Sequence, residues 1–456
     1  MGKMKSEWIT RKKKRSEKSD NPLKCLLKIQ KCFFSEMTHW IEEVKDPRNP
    51  AYTTYTQTDL IYLGILKNIC SLESMRSMGE HFNEEICIRN LSIITGNAEL
   101  KEIPHYDTLN YYLAKLSPQA IAGIRTKMVR ALLRSKDFDN SRIQGKYWRV
   151  ILDGTGVCYF KEKHCDNCLT TTTVNKDGTK TIRYYHKVLE AKLVLADKII
   201  ISLDTEFIEN EREDVTKQDC EINASKRLLE RLKATFPRMK ICIQGDALYA
   251  AASIMDICRQ NSWKYLLTHK RKRQPTIDEF YNELDDDVDR TRVSGIGAEG
   301  GTGFFYNHLE KYAGKEQVLN ICEYRYEERD DKGVMVQHRM VWITNITLTK
   351  SNLGSIVSAG RGRWKIENEG FNTQKNILYK IQHLNSRNPN AMKNHYLLTQ
   401  ISDIIMQLYL AWDEAHSTAK KCLRNMASWI LESFRKQQLT DDDMNWINKR
   451  TSIYLQ

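Results

Sequence analysis

Two short apolar runs, each closed by an aspartate beside a glycine, constrain this chain more than any other feature. One is RVILDGTG, carrying Asp153; the other is ICIQGDALYA, carrying Asp246. An apolar run that stops at a turn signal reads as a buried strand. YYHKVLEAKLVLA and KIIISLDTEFI read as two further strands between them, followed by an amphipathic helix over Asp219 to Thr235. A second helix (AASIMDICRQ) and another strand (KYLLTH) come after Asp246. That order predicts an α/β class fold with a mixed sheet.

The flanking patterns differ. From about Pro22 to Lys136 apolar residues recur three and four apart, as in PLKCLLKIQKCFF and DLIYLGILKNIC, which predicts helices. In IPHYDTLNYYLAKL, Asp107 reads as an N-cap, with Leu109, Tyr112 and Leu113 on the inner face. Between about Arg271 and Asn345 the runs EQVLNICEYRYEE and VMVQHRMVWITN bracket the turn RDDKG, which predicts a β-rich insertion. Helices follow. The expected division is a basic arm at 1–20, a helical region at 21–145, core segments at 146–275 and 346–412 around the insertion at 276–345, and a helical tail at 413–456.

The chain carries 71 Lys+Arg against 58 Asp+Glu, a net +13, which points to a polyanionic partner. RKKKR, Arg11 to Arg15, reads as a solvated arm able to touch phosphates. THKRKR places Lys270, Arg271, Lys272 and Arg273 directly after a strand, where they would track a DNA backbone. No stretch reaches ~18 uncharged apolar residues and no export signal is evident, so an intracellular, cytoplasmic protein without a membrane partner is expected.

Acids at strand ends are where open α/β sheets place their chemistry. Two converging carboxylates repel unless a cation lies between them, and hard oxygen donors select Mg2+ or Mn2+. A third acid from a later helix would complete a site for two ions, suited to phosphoryl displacement. GRGRWKIENEGFNTQK, Gly360 to Lys375, offers two candidates. At about 100° per residue Glu367 and Glu369 point to opposite sides. Glu367 follows Arg363 by one turn and flanks a stripe of Trp364, Phe371 and Leu378 that is expected to be buried. Glu367 is therefore the expected ligand, with Arg363 and Lys375 as phosphate contacts. Glu190, Asp204 and Glu206 are rival acids on the second and third strands.

ILDGTG, IQGDALYA and RGRWKIENEGFNTQK together resemble the three acidic motifs of bacterial insertion-sequence transposases with a ribonuclease-H-like DDE core. The subgroup with a β-rich insertion carries the signature Y-x2-R-x3-E-x6-K. Arg363 and Glu367 meet it; Gly360 stands at the tyrosine position and Gln374 at the lysine position, with Lys375 one residue later. The resemblance implies cleavage and joining of double-stranded DNA at an element's terminal repeats and a target. It implies Asp153, Asp246 and Glu367 as catalytic metal ligands, an end-binding role for the helical region, and a homodimer that holds two ends. A DNA binder without catalysis and a stand-alone ribonuclease-H-like nuclease are the alternatives.

Two features invite other chemistry. Gly295, Gly297 and Gly300 have G-x-G-x-x-G spacing but lack the strand-then-helix context of a nucleotide site, and a flexible loop fits better. CYFKEKHCDNC offers Cys158, His164, Cys165 and Cys168, with His186 as a more distant donor. One C-x2-C pair permits a structural zinc without requiring it.

Overall fold

The computed structural model describes residues 21–210, 219–309, 319–416 and 422–449; the arm at 1–20 with Arg11–Arg15, and the end of the tail, lie outside them. The described chain forms two compact units, one from residues before 136 together with those after 372, the other from 136–372.

Among the described residues before 136 there are seven α-helices: α1 (Pro22–Phe33), α2 (Met37–Glu42), α3 (Gln57–Ile69), α4 (Met75–Phe82), α5 (Glu85–Thr95), α6 (Tyr106–Lys115) and α7 (Pro118–Ser135). α3 starts at a capping box, in which the Thr56 hydroxyl accepts from Asp59 N–H (3.1 Å) and Asp59 accepts from Thr56 N–H (2.8 Å). α6 begins earlier than its sequence suggests. His105 caps it by accepting from Asp107 N–H, so Asp107 lies inside the first turn. Leu109, Tyr112 and Leu113 are buried as that periodicity implies.

The second unit is a sheet with helices on its faces. Its strands are β1 (Trp148–Phe160), β2 (Leu169–Val174), β3 (Lys180–Ala196), β4 (Ile199–Ile208), β5 (Ile241–Gly245), β6 (Lys264–Thr268), β7 (Thr291–Ile296), β8 (Gly301–Leu309), β9 (Leu319–Arg329) and β10 (Met335–Thr344). Their order is β2-β3-β1-β5-β6-β10-β9-β8-β7, with β4 also on β3. β1, β5 and β6 run parallel and the other pairings are antiparallel. The fold is thus α/β with a mixed sheet, as expected. The β-rich segment is not a separate layer: β10 pairs with β6, Trp342 against Thr268, so the four late strands extend the same sheet. The Gly-rich stretch is the turn of the β7–β8 hairpin, where Gly295, Gly297 and Gly300 adopt positive φ. A strand rather than a helix follows it, which removes the nucleotide-loop geometry. Helices α8 (Glu221–Thr235), α9 (Ala252–Gln260), α10 (Pro275–Glu283) and α11 (Leu353–Arg361) complete this part.

After α11 comes a short 3-10 turn, Gly362–Trp364, and then a wide helix, Ile366–Ile377, wound with i→i+5 hydrogen bonds. Among the described residues three helices follow: α12 (Pro389–His416), α13 (Leu423–Lys436) and α14 (Asp441–Asn448). The expected core segment 346–412 therefore divides, since α12 packs against α1, α3, α6 and α7 and joins the helical unit. It is buried nearly all round, with Leu398, Ile401, Ile404, Ile405 and Leu408 fully covered beside buried polar residues such as Asn394 and Gln400, which suits a central helix. Asn394 on α12 donates to the Leu113 and Leu116 carbonyls (both 2.8 Å) and so satisfies the C-terminal end of α6.

His395 on α12 is buried beside Asn110 Oδ1 (2.7 Å). Burial, then the Lys67 charge, holds its imidazole down at about 3. An unfolded histidine titrates near ~6.5. Below that pH the unfolded chain binds a proton that the folded one refuses, so stability is intact above pH ~6.5 and declines towards pH ~3. The expected slope is about 1.4 kcal/mol per pH unit. Thermal melts across this range should show a shallower acid limb in His395→Gln; an unchanged limb would assign the loss to other groups.

Candidate active site

Pairing of β1 with β5 runs from Trp148↔Ile241 to Ile151↔Gln244, a constant offset of 93 residues. Carried two residues past the last pair, the same offset would bring Asp246, the first residue after β5, level with Asp153 on β1, across a strand spacing of ~4.8 Å. Asp153 does not end its strand, as its sequence context suggested. β1 continues to Phe160 in the ladder with β3, through a bulge between Gly156 and Cys158. What ends at Asp153 is the neighbour: β5 stops at Gly245, leaving that side of β1 open. Asp153 turns its carboxylate to Gly154 N–H (2.9 Å), and Asp246 turns its own to Leu248 N–H (2.8 Å).

The wide helix reaches β1 through two anchors. Arg149 on β1 and Gln244 on β5 both donate to the Ala359 carbonyl near the end of α11 (3.2 and 2.7 Å). Ile366 and Phe371, five residues apart, then bury with Ile151, Val194 and Ile200. Ile151 and Asp153 share a strand face by the two-residue alternation. Glu367, directly after Ile366, is thereby carried towards Asp153, and Arg363 Nη1 holds its Oε1 at 2.7 Å.

Electrostatics register this proximity. Burial pushes the Asp153 carboxyl up to about 7; the Glu367 charge adds to the rise, while Arg363 and the Gly154 N–H oppose it. Glu369 has different neighbours, since its carboxyl is raised by burial and modulated by Lys365, Asp197 and Lys198. The two glutamates thus serve different surroundings, as their spacing suggested.

The wide winding overturns one expectation. Trp364 is 56% exposed, whereas Phe371 and Leu378 are buried. Trp364 lies in the 3-10 turn, before the wide helix sets its phase, and Ile366 takes the inward place. Trp364→Ala should accordingly change stability by no more than ~0.5 kcal/mol; a larger loss in thermal melts would restore the packing role.

Two glycines of this stretch are crowded by neighbouring side chains. A Cβ at Gly362 would lie 2.2 Å from Arg149 Nη2, and one at Gly360 would lie 2.6 Å from the Trp342 ring. A tyrosine at 360 would therefore collide with the buried Trp342 ring. Gln374, at its lysine position, is buried in the helical unit and donates to Gln400 (3.0 Å) and Asp403 (2.8 Å). Lys375 also belongs to that unit.

Of the rival acids, Asp204 is bound by Arg231 (2.7 Å), and Glu206 by Arg227 and Arg231 (both 2.6 Å). Glu190 stands across from Asp153 in the β1–β3 ladder but is wholly buried, accepting from Ser202 (2.6 Å) and Thr205 (2.5 Å). Sequence reasoning missed three neighbours. Glu221, at the start of α8, lies against Gly154 and also raises Asp153; it accepts from Tyr249 Oη (2.5 Å) and pairs with Lys187. No motif spacing announces them, because they come from separate elements.

The basic turn lies at the same end of the sheet. Gly245 pairs with Leu267, so β6 finishes level with Asp246, and Lys270, Arg271, Lys272 and Arg273 follow, all exposed. Gln274 pins the turn by donating to Ala250 O (2.6 Å) and meeting His269 Nδ1 (2.8 Å). Arg271 approaches Asp278 (3.7 Å). Among the described residues, no helix is long and apolar enough to cross a membrane.

Neither the known protein families nor the curated proteins contain a match to this sequence. Solved structures do: the chain is similar to the piggyBac transposase in a synaptic complex with hairpin DNA, seen by cryo-EM. Identity is 12%, the match covers 94% of this chain and 85% of that one, and the TM-score is 0.40, a likeness too slight to transfer a residue or an activity.

Proposed function

We propose that this chain is a transposase, a metal-dependent phosphoryl-transfer enzyme that cuts and joins DNA at the ends of an insertion sequence. What supports the reading is the parallel pairing of β1 with β5, whose register carried two residues past its last pair would bring Asp246, just after β5, level with Asp153, together with the Glu367 charge acting on Asp153. Antiparallel β4, β3 and β1 lead into parallel β1, β5 and β6, which supports a ribonuclease-H-like core of the DDE kind.

Asp153, Asp246 and Glu367 are oxygen donors, and a buried carboxyl that feels a second carboxylate suits a hard divalent cation, Mg2+ or Mn2+. Bound there, two such ions would polarise a phosphodiester and acidify a water. The protein's own part is positioning. Backbone N–H groups of Gly154 and Leu248 orient the aspartates, and Arg363 steadies Glu367. Lys270, Arg271, Lys272 and Arg273 would hold the duplex backbone near the acids, and Lys375 is a further candidate phosphate contact. Cutting and joining two element ends together calls for a homodimer on the DNA.

A labelled DNA end incubated with the protein and Mn2+ tests the reading. Joined products support a transposase. Cleavage without joining means a nuclease, and retention alone means a binder.

A further inference from the structure

Beyond the acidic site, one cluster has the geometry of a metal centre. His164, Cys165, Cys168 and His186 present ligand atoms that all lie within 4.8 Å of one another. The Cys165 and Cys168 sulfurs are 3.6 Å apart, and His186 Nε2 lies 3.4 Å from one and 3.5 Å from the other. A tetrahedral zinc with Zn–S of ~2.3 Å and Zn–N of ~2.0–2.1 Å requires edges of about 3.8 Å between sulfurs and about 3.5 Å between sulfur and nitrogen. Cys165 and Cys168 are free thiols in this structure. We propose that these four side chains bind one structural Zn2+, staking the loop between β1 and β2 to strand β3.

The surroundings suit a closed centre. Cys168 and His186 are buried, and Phe160 stacks on the His164 ring at 4.5 Å. Asn210 fixes the loop by donating to the Cys168 carbonyl (3.1 Å). Two thiolates and two neutral imidazoles cancel the ion's charge, so burial costs little, and an S2N2 tetrahedron selects zinc over hard cations. All four positions come from protein, which marks a structural rather than a catalytic ion. His186 and Glu190 are four residues apart on β3, roughly 13 Å along the strand, so this centre is separate from the acids. Cys158 pairs with His186 across the ladder but is not one of the four. It serves as the control.

Full-length protein purified from zinc-replete cells should contain about one zinc per chain by mass spectrometry. After chelation, Co2+ should give the visible bands of a tetrahedral thiolate–imidazole centre. Cys165→Ser and Cys168→Ser should lose the zinc, while Cys158→Ser and His186→Cys should keep it. Wild-type protein that holds no zinc and gives no tetrahedral cobalt spectrum overturns the proposal, and does so even if every variant misfolds. Zinc retained in the Cys165→Ser, Cys168→Ser double variant, or lost equally in Cys158→Ser, overturns it as well.

Discussion

Asp153→Asn, Asp246→Asn and Glu367→Gln are each expected to abolish Mn2+-dependent cleavage of a labelled DNA end while leaving DNA retention intact. Loss of an outer contact to a metal ligand already costs about 10–100-fold, so loss of the ligand itself should exceed ~10²-fold. Retention should persist because it draws on cations outside the acid cluster, above all the exposed turn after β6. Glu369→Gln should be far milder, since its charged neighbours are Lys365, Asp197 and Lys198 rather than Asp153. Stability should move the other way from activity. In metal-free protein, Asp153→Asn removes a buried carboxyl that feels Glu367, so the melt should stay level or rise. Full cleavage by any of the three variants would remove that residue from the site. A ranking with Glu369 above Glu367 would show that the other glutamate acts.

Glu323 should be the costliest acid to remove from the β-rich end of the sheet. It is wholly buried on β9 and accepts from Arg339 Nε (2.9 Å) and from Arg325, with Arg290 at 3.9 Å. Arg290 is itself buried, its guanidinium over the Tyr281 ring and paired with Asp286. Breaking a fully buried pair from one side costs about 3–5 kcal/mol, and Glu323→Leu should cost less, because Arg325 and Arg339 are 38% and 44% exposed and Arg325 and Arg290 keep Asp286. Glu323→Gln keeps acceptors in place and should cost less still. With two units in one chain a single unfolding free energy is ill defined. Amide hydrogen exchange in β9 and β10 is therefore the proper measure. A loss below ~1 kcal/mol would mean that the arginines find water instead.

Much of this was legible because local pattern and final environment agree. The apolar runs before Asp153 and Asp246 became buried strands, and the apolar 389–412 stretch became a central helix. Their shared level was not legible, since only the pairing register fixes it. Trp364 was misplaced because a regular 3.6-residue period was assumed across a segment that winds in two other ways. The assignment of residues after 372 to the helical unit depends on contacts remote in sequence, on which periodicity is silent. Glu221 and Tyr249 stayed hidden for the same reason.

The divided helical unit has a consequence for synthesis. Its central helix α12 is translated more than two hundred residues after α7, its last early partner. Until then the inner faces of α1, α3, α6 and α7 lack their apolar mate, while the α/β portion already has all its strands. At about 5–20 residues per second a nascent chain of this kind presents apolar surface for tens of seconds, a window in which misassociation competes with folding.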